Sequence, residues 1–259
     1  MKTALRVCTV AFVACLVMTA QTQAGIGFRV SGGYTYINYS DWNDFVKDYN
    51  TMLVGVEQLD EIHWIPEFSG EVTYSVVPSL TVGLGAGIIA GKSDWSISTG
   101  LEFVDLEHKI RAFPFTLTGY FEPSLPFTFA KPHVFGGVGA YYSKVTFFFN
   151  YDPDSDAIPD YEADLTSWGF GMHGGAGLRF EVVPTVSIDI DVKGRWAKIK
   201  GYEGTTTSGD VTEDAVLIRY IEDGFHYYGV STASESAGYQ EGAVNLSGFG
   251  VMVSVVVGF

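Results

Sequence analysis

The sequence predicts an all-β fold: eight antiparallel strands running up and down and closed into a transmembrane barrel, with short turns at one end and long loops at the other. Three observations carry that prediction. Eight segments alternate apolar residues with small or polar ones at period two. The links between them are alternately short and long, the pattern of a membrane-crossing meander with one short-turned end. The acidic residues follow the links, with 24 of the 30 in the four long ones.

The first segment, Gly25 to Tyr39, sets Ile26, Phe28, Val30, Tyr34 and Tyr36 against Arg29, Ser31, Gly33 and Thr35. The second, Ile62 to Val77, sets Trp64, Phe68, Val72, Tyr74 and Val76 against Glu67, Ser69, Glu71, Thr73 and Ser75. In the third, Leu80 to Gly91, Leu80, Val82, Leu84, Ala86 and Ile88 alternate with Thr81, Gly83, Gly85 and Gly87. The fourth, His108 to Phe121, places Phe113, Phe115, Leu117 and Phe121 opposite Pro114, Thr116, Thr118 and Tyr120. The fifth, His133 to Phe149, is ambiguous in register, and a bulge near Lys144 is expected to switch its faces. The sixth, Leu165 to Val182, sets Trp168, Phe170, Met172, Ala176, Leu178 and Phe180 against glycines, His173 and Arg179. In the seventh, Val186 to Lys200, Val186, Ile188, Ile190, Val192 and Trp196 oppose Asp189, Asp191, Lys193 and Arg195. The last, Asn245 to Phe259, carries Phe249, Val251, Val253, Val255, Val257 and Phe259 on one face and Gly248, Gly250, Met252, Ser254, Val256 and Gly258 on the other. In each, the apolar face suits lipid and the small, mixed face suits a narrow interior.

Pro78-Ser79 alone separates the second and third segments, and Val183-Pro184-Thr185 the sixth and seventh; a modest link, Glu122 to Lys131, joins the fourth and fifth. The long links are Ser40 to Glu61, Lys92 to Glu107, Asn150 to Asp164 and Gly201 to Glu241. All short links therefore fall at one end, and an even strand number puts both chain ends there too. The long loops hold only Lys47, Lys92 and Arg219 as bases. Lys109, Arg111 and Lys198 fall on the apolar face, but near the outer ends, where a long side chain reaches a polar layer.

Lys2 and Arg6 precede an apolar run from Val7 to Ala20, and Thr22-Gln23-Ala24 offers a small-residue cleavage site. This predicts a signal peptide over residues 1–24 and a barrel over 25–259. Both cysteines, Cys8 and Cys15, lie in the leader, which leaves the barrel without a disulfide, thiolate or cysteine metal ligand. Beyond Ala24 no apolar run reaches the ~18 residues of a spanning helix. Without the leader the chain has 13 basic and 30 acidic side chains, a charge that excludes nucleic acid as a partner, since phosphates need bases.

Ala112-Phe113-Pro114-Phe115-Thr116-Leu117-Thr118-Gly119-Tyr120-Phe121, followed by Lys131-Pro132-His133-Val134-Phe135-Gly136-Gly137, resembles the small eight-stranded outer-membrane barrels of the OmpA, OmpX and OmpW kind. In those barrels a Pro-led strand ends in an aromatic pair and the next opens with Lys-Pro-Tyr and a glycine-rich run; His133 stands here in place of the Tyr. The final strand, ending on Phe259, looks like their terminal assembly signal. The resemblance implies residence in a bacterial outer membrane, reached through the periplasm. It implies as partners outer-membrane lipids and lipopolysaccharide, periplasmic chaperones and the barrel-assembly machinery. For function it implies only a range: structural anchors, adhesion proteins, carriers of small apolar molecules and a few lipid-modifying enzymes.

Four sets of residues are candidates for function. Arg29, Glu67, Glu71, Arg179, Glu181, Asp189, Asp191, Lys193 and Arg195 fall on the inward face, where buried charges must pair, so they read as a lumen network of ion pairs. Asp152, Asp154, Asp156 and Asp160 space carboxylates as calcium loops do, but Ala157 stands at the turn-glycine position and Ala163 at that of the closing Glu, so a metal site is a weak expectation. Ser40 to Leu53 reads as a short helix at the barrel mouth, and Trp42, Phe45, Tyr49, Trp64, Phe225, Tyr227 and Tyr228 are the aromatics that would line an apolar pocket beneath such a lid. Val216 to Ile221 and Phe225 to Val230 flank Glu222-Asp223-Gly224 as a hairpin too short to span a membrane. A lipid-modifying enzyme needs a His with a Ser or an acid near the outer leaflet; His173 has glycine neighbours, and His63 and His226 lie nearer the outer end. The expectation is a non-enzymatic barrel without a cofactor, acting as a structural or interaction protein of the surface or as a carrier of small apolar molecules. The alternatives are an outer-leaflet lipid-modifying enzyme and a soluble periplasmic lipocalin-like binding protein.

Overall fold

A computed structural model of the protein describes residues 25–52, 58–98, 103–123, 130–151, 161–236 and 238–258. The expected leader over 1–24, the acidic run Asp152 to Asp160 and Phe259 lie outside the described residues.

Eight strands close a ring. In chain order they are β1 (Ile26–Ile37), β2 (Trp64–Val77), β3 (Leu80–Ser98), β4 (Phe103–Phe121), β5 (Lys131–Tyr151), β6 (Tyr161–Val183), β7 (Val186–Ile199) and, after five outer strands, β13 (Gly248–Gly258). Each pairs antiparallel with the next, and β13 closes on β1 with Gly27 opposite Gly258 and Ile37 opposite Gly248. Turns at Pro78-Ser79 and Pro184-Thr185 sit at one end, beside Gly25 and Gly258. Next to each, the register slips between Ser75 and Val77 and between Glu181 and Val183. A proline that cannot donate to the ladder ends pairing there.

The outer wall of the ring on the short-turn side is apolar. Phe68, Val72, Leu84, Phe115, Leu117, Val138, Phe170, Met172, Val192, Val251 and Val253 all stand exposed, Phe170 at 83 %. On a protein surface in water such a continuous belt would be unstable; against lipid it is required. Aromatic side chains bound it on the long-loop side. Trp64 and Phe249 meet Tyr36 at 5.6 and 5.5 Å between ring centroids, and Trp168 meets Tyr142 at 5.2 Å and Phe115 at 6.1 Å.

Above this girdle the strands continue. β3 runs to Ser98 and β4 starts at Phe103, so most of the expected Lys92–Glu107 loop is a strand pair; β5 and β6 extend likewise to Tyr151 and from Tyr161. The bulge expected near Lys144 is absent: β5 pairs without interruption with β4 from Val134 to Tyr151 and with β6 from Lys131 to Phe149. What changes at Lys144 is the surroundings. Below it the outward face meets lipid and is apolar. Above it the outward face meets water, so Lys144 and Thr146 point out while Val145 and Phe147 are buried inside.

Outside the ring, β8 (Glu203–Ser208) pairs with the upper end of β6, and β9 (Val211–Glu222) and β10 (Phe225–Thr232) form the expected hairpin, with β9, at 12 residues, twice the expected arm because its first half pairs with β8. Its turn, Asp223-Gly224, has φ of 51° and 87°, the left-handed pair of a type I′ turn, which glycine adopts without strain. Two-residue strands β11 (Gln240–Glu241) and β12 (Val244–Asn245) lead into β13. The one helix among the described residues, α1 (Ser40–Met52), lies between β1 and β2.

Candidate functional site: an ion-pair layer beneath an aromatic plug

The lumen is filled in two layers of opposite character. The lower layer is charged. Arg29 donates from Nη1 to Asp189 at 2.5 Å and from Nη2 to Asp191, and its guanidinium lies 5.0 Å from the centre of the Tyr120 ring. Arg179 grips Asp189 with two bonds of 2.9 Å and reaches Glu122 at 3.0 Å. His133 Nε2 lies 2.8 Å from Asp191. Glu71 accepts from Tyr120 and, at 3.0 Å, from Thr118, whose hydroxyl also contacts His173 Nε2 at 3.0 Å. Higher up, Glu67 is 1 % exposed and accepts from Thr35, Lys193 and Arg195 at 2.8, 2.7 and 2.8 Å. Arg195 also donates to the Leu246 carbonyl at 2.9 Å. Every carboxylate buried here has at least one cationic or hydroxyl donor, which is what makes charge tolerable in so narrow an interior. The space left between these side chains is a cavity of about 40 Å³ in mid-lumen and one of about 190 Å³ at the short-turn end.

Eight of the nine residues assigned to the lumen network thus meet inside the barrel. The ninth, Glu181, stands at the short-turn rim, half exposed and paired with Lys131. The neutral members Thr35, Thr118 and Tyr120 lie on the inward face the sequence assigns them, though their part in the network could not be read from it, and His133 belongs to the strand of ambiguous register, which the continuous pairing of β5 fixes as inward.

The upper layer is largely apolar. Ile37, Ile65, Ile89, Ile110, Tyr141, Val145, Leu165, Ile199 and Leu246 form one buried cluster across the ring, and α1 closes it from above with Trp42 and Val46. Ser40 begins the helix and Asp41 occupies its first turn, where a carboxylate opposes the helix dipole. Trp42 stacks on His108 at 4.2 Å, and a polar chain passes through the cluster from Tyr228 to Tyr39 at 2.8 Å and from Tyr39 to His108 Nε2 at 2.9 Å. Burial in these apolar surroundings and the neighbouring phenol raise the Tyr39 hydroxyl well above its ordinary pKa.

The helix is strapped down rather than merely laid on the mouth. Two amides seven residues apart, Asn43 and Asn50, each bond both the N–H and the C=O of the returning segment, at Ile62 (2.9 and 3.1 Å) and Leu59 (2.9 and 3.0 Å). Two carboxylates at the same spacing, Asp41 and Asp48, hold the last outer segment. Asp41 accepts from Arg219 and from the Ala243 amide at 3.2 and 3.1 Å; Asp48 accepts from the His226 amide and faces His226 Nδ1, both at 2.8 Å. Seven residues is close to two helical turns, so each pair shares one face. That repeat is legible in the sequence, but as polar spacing, which a search for apolar periodicity passes over.

Of the seven candidate mouth aromatics, Trp42 and Tyr228 lie in the plug and Phe45 and Tyr49 pack at its edge. The other three do not join them. Trp64 is 57 % exposed on the outer wall, Tyr227 stacks on Tyr220 at 4.6 Å, and Phe225 is half buried beside the hairpin turn. His63 contacts Glu61 and Asn43.

Among solved structures, OprG of Pseudomonas aeruginosa is 16 % identical with a TM-score of 0.44, over 92 % of this chain and 97 % of that one. A major outer membrane protein of Thermus thermophilus is 12 % identical with a TM-score of 0.46, over 90 % and 99 %. Outer Membrane Protein W of E. coli is 16 % identical with a TM-score of 0.30, over 92 % and 100 %. No curated protein matches the chain. The family model for the outer membrane protein beta-barrel domain matches residues 8–219. With its closed ring of eight strands and its apolar belt, this chain belongs to the outer membrane protein β-barrel family and resides in the bacterial outer membrane.

Proposed function

We propose that this protein is a sealed barrel that anchors a folded outer head at the cell surface, as a structural and interaction protein, without conducting or catalysing. The observation that carries this is the plug. The part of the lumen where a carrier would need a pocket is packed with Ile37, Ile65, Ile89, Ile110, Leu165 and Ile199, all at most 2 % exposed. Beneath it, the Glu67–Lys193–Arg195 cluster crosses the lumen. Opening the mouth for a small apolar cargo would require breaking the four side-chain straps of α1 and exposing these packed aliphatic side chains to water, at ~1.5–3 kcal/mol for each one fully buried. What supports an interaction role is the outer head itself, in which β8, β9 and β10 extend the wall of β6 beyond the ring.

The test is electrical and chemical. In planar bilayers the purified chain should give no conductance steps, and vesicles containing it should take up an apolar fluorophore no faster than empty ones. Steady conductance or accelerated uptake by the unaltered protein would overturn the sealed reading. Lipid A incubated with it should keep its mass; loss or gain of an acyl chain would make it an enzyme.

A further inference from the structure

The bases of this acidic chain are not scattered. Four lie in the lumen, and six more, Lys92, Lys109, Arg111, Lys144, Lys198 and Lys200, stand on the outer wall just above the aromatic girdle. Outward along β4 the outer face reads Phe113, Arg111, Lys109, Glu107, Asp105: an aromatic, two bases, then two acids. At ~3.4 Å per residue on a strand tilted by ~45°, Arg111 sits about 5 Å beyond the girdle, within the headgroup layer that adds ~5–7 Å to each side of the hydrocarbon.

At this level the wall has a cleft. The β2–β3 ladder ends at Glu67 opposite Ile89, because the next residue of β2 is Pro66, which has no N–H to give. Above it β2 pairs only with β1, while β3 continues with β4. The groove between them has a volume of about 680 Å³ and is lined by Trp64, Pro66, Ala90, Lys92, Lys109 and Arg111, with Glu61 at its far side. Glu61 is already engaged, by His63 at 2.8 Å and Lys47 at 3.7 Å.

The bases are placed against one another. Lys92 is directly opposite Lys109, and Arg111 directly opposite Lys144, arrangements that destabilise a sheet unless an anion joins them. Glu107 serves Lys92, at 2.9 Å, and Lys109 from the solvent side, and Asp164 takes Lys144 at 2.9 Å. Arg111 is exposed and has no carboxylate partner among the described residues. A free guanidinium fork beside a shared lysine, at headgroup depth and over an apolar floor, matches a phosphate with a hydrocarbon chain beneath it.

We propose that this cleft binds the phosphate-bearing headgroup of an outer-leaflet lipid, with Arg111 and Lys109 holding the phosphate and Trp64, Pro66 and Ala90 receiving the start of its acyl chain. The proposal rests on the membrane placement of the barrel and is independent of whether the lumen conducts.

The experiment titrates the full chain, refolded in uncharged detergent micelles, with diphosphorylated lipid A and with the same lipid stripped of its phosphates. Each surface cation is worth about fivefold in affinity, so the wild type should prefer the phosphorylated form by roughly 30-fold. The pair Lys109→Gln/Arg111→Gln should lose most of that preference. The pair Lys198→Gln/Lys200→Gln, which removes the same charge at a similar height on another part of the wall, should keep it. If the first pair fails to refold, Arg111→Gln alone, at an exposed side chain, should cost about fivefold. Equal binding of both lipids by the wild type overturns the proposal. So does equal loss in the two double variants, which would mean general attraction, or displacement of the lipid by millimolar inorganic phosphate, which would mean a free-anion site.

Discussion

Glu67 is the joint between the two layers of the lumen, and removing its charge tests the account of both. Its carboxylate accepts three bonds of 2.7 to 2.8 Å, two of them from cations that face it from β7 across the ring. Glu67→Gln keeps the shape and leaves Lys193 and Arg195 side by side without a counter-charge. Two charge-assisted bonds at ~1.5–3 kcal/mol each give about 3–6 kcal/mol, in the same range as the ~3–5 kcal/mol for breaking a buried pair. The adjoining 40 Å³ cavity can admit a water molecule to the stranded ammonium, so the lower end, about 3 kcal/mol, is expected. Urea unfolding in lipid vesicles, followed by tryptophan fluorescence and by the mobility of the folded barrel on unboiled gels, measures it. Lys193→Gln in the same background removes one of the two stranded charges, and should recover more than about 1 kcal/mol as a coupling term. A Glu67→Gln cost below about 1 kcal/mol with no coupling to Lys193 would refute the idea that this ion-pair layer holds the barrel closed.

Three further outcomes are expected. Trp42→Ala removes the largest side chain of the plug, 1 % exposed, and should destabilise the outer head by ~3–5 kcal/mol, with faster amide exchange in α1 and a measurable leak in planar bilayers. Asp48 is held below its ordinary 3.8, first by the His226 amide and then by the His226 ring. Because its folded pKa is depressed, the helix–hairpin contact is complete above 3.8 and weakens as pH falls through the lower folded value; amide exchange at His226 should show that acid onset, and Asp48→Asn should abolish it. Gly248 lets β13 approach β1 so closely that a Cβ would collide with the Tyr36 carbonyl, so Gly248→Ala should cost ~1–3 kcal/mol. Gly119→Ala, where a Cβ would come no nearer than 3.8 Å to Gly136, should change stability by less than about 0.5 kcal/mol, both read by the same urea unfolding.

The sequence by itself determined the membrane-embedded part of this protein. Lipid is a uniform apolar solvent that tolerates no unpaired charge, so every lipid-facing position of β6, β7 and β13 had to be apolar or glycine, and period two could be read residue by residue. The same constraint swept charge into the lumen or the outer segments, which is why eight of the nine lumen residues were legible before their partners were known. Tertiary structure alone decided the partners. Arg29 meets Asp189 across 160 residues and Glu67 meets Lys193 across 126, contacts set by ring closure and register rather than by any local pattern. It also decided the outer head. There water replaces lipid outside the wall, the apolar face turns inward without a bulge at Lys144, and the strands run on where polar, acidic sequence had suggested loops. The mouth followed the same rule: Trp42 and Tyr228 were drawn into a buried plug, while Trp64, with the same aromatic character, stayed at the lipid boundary because its strand position points outward.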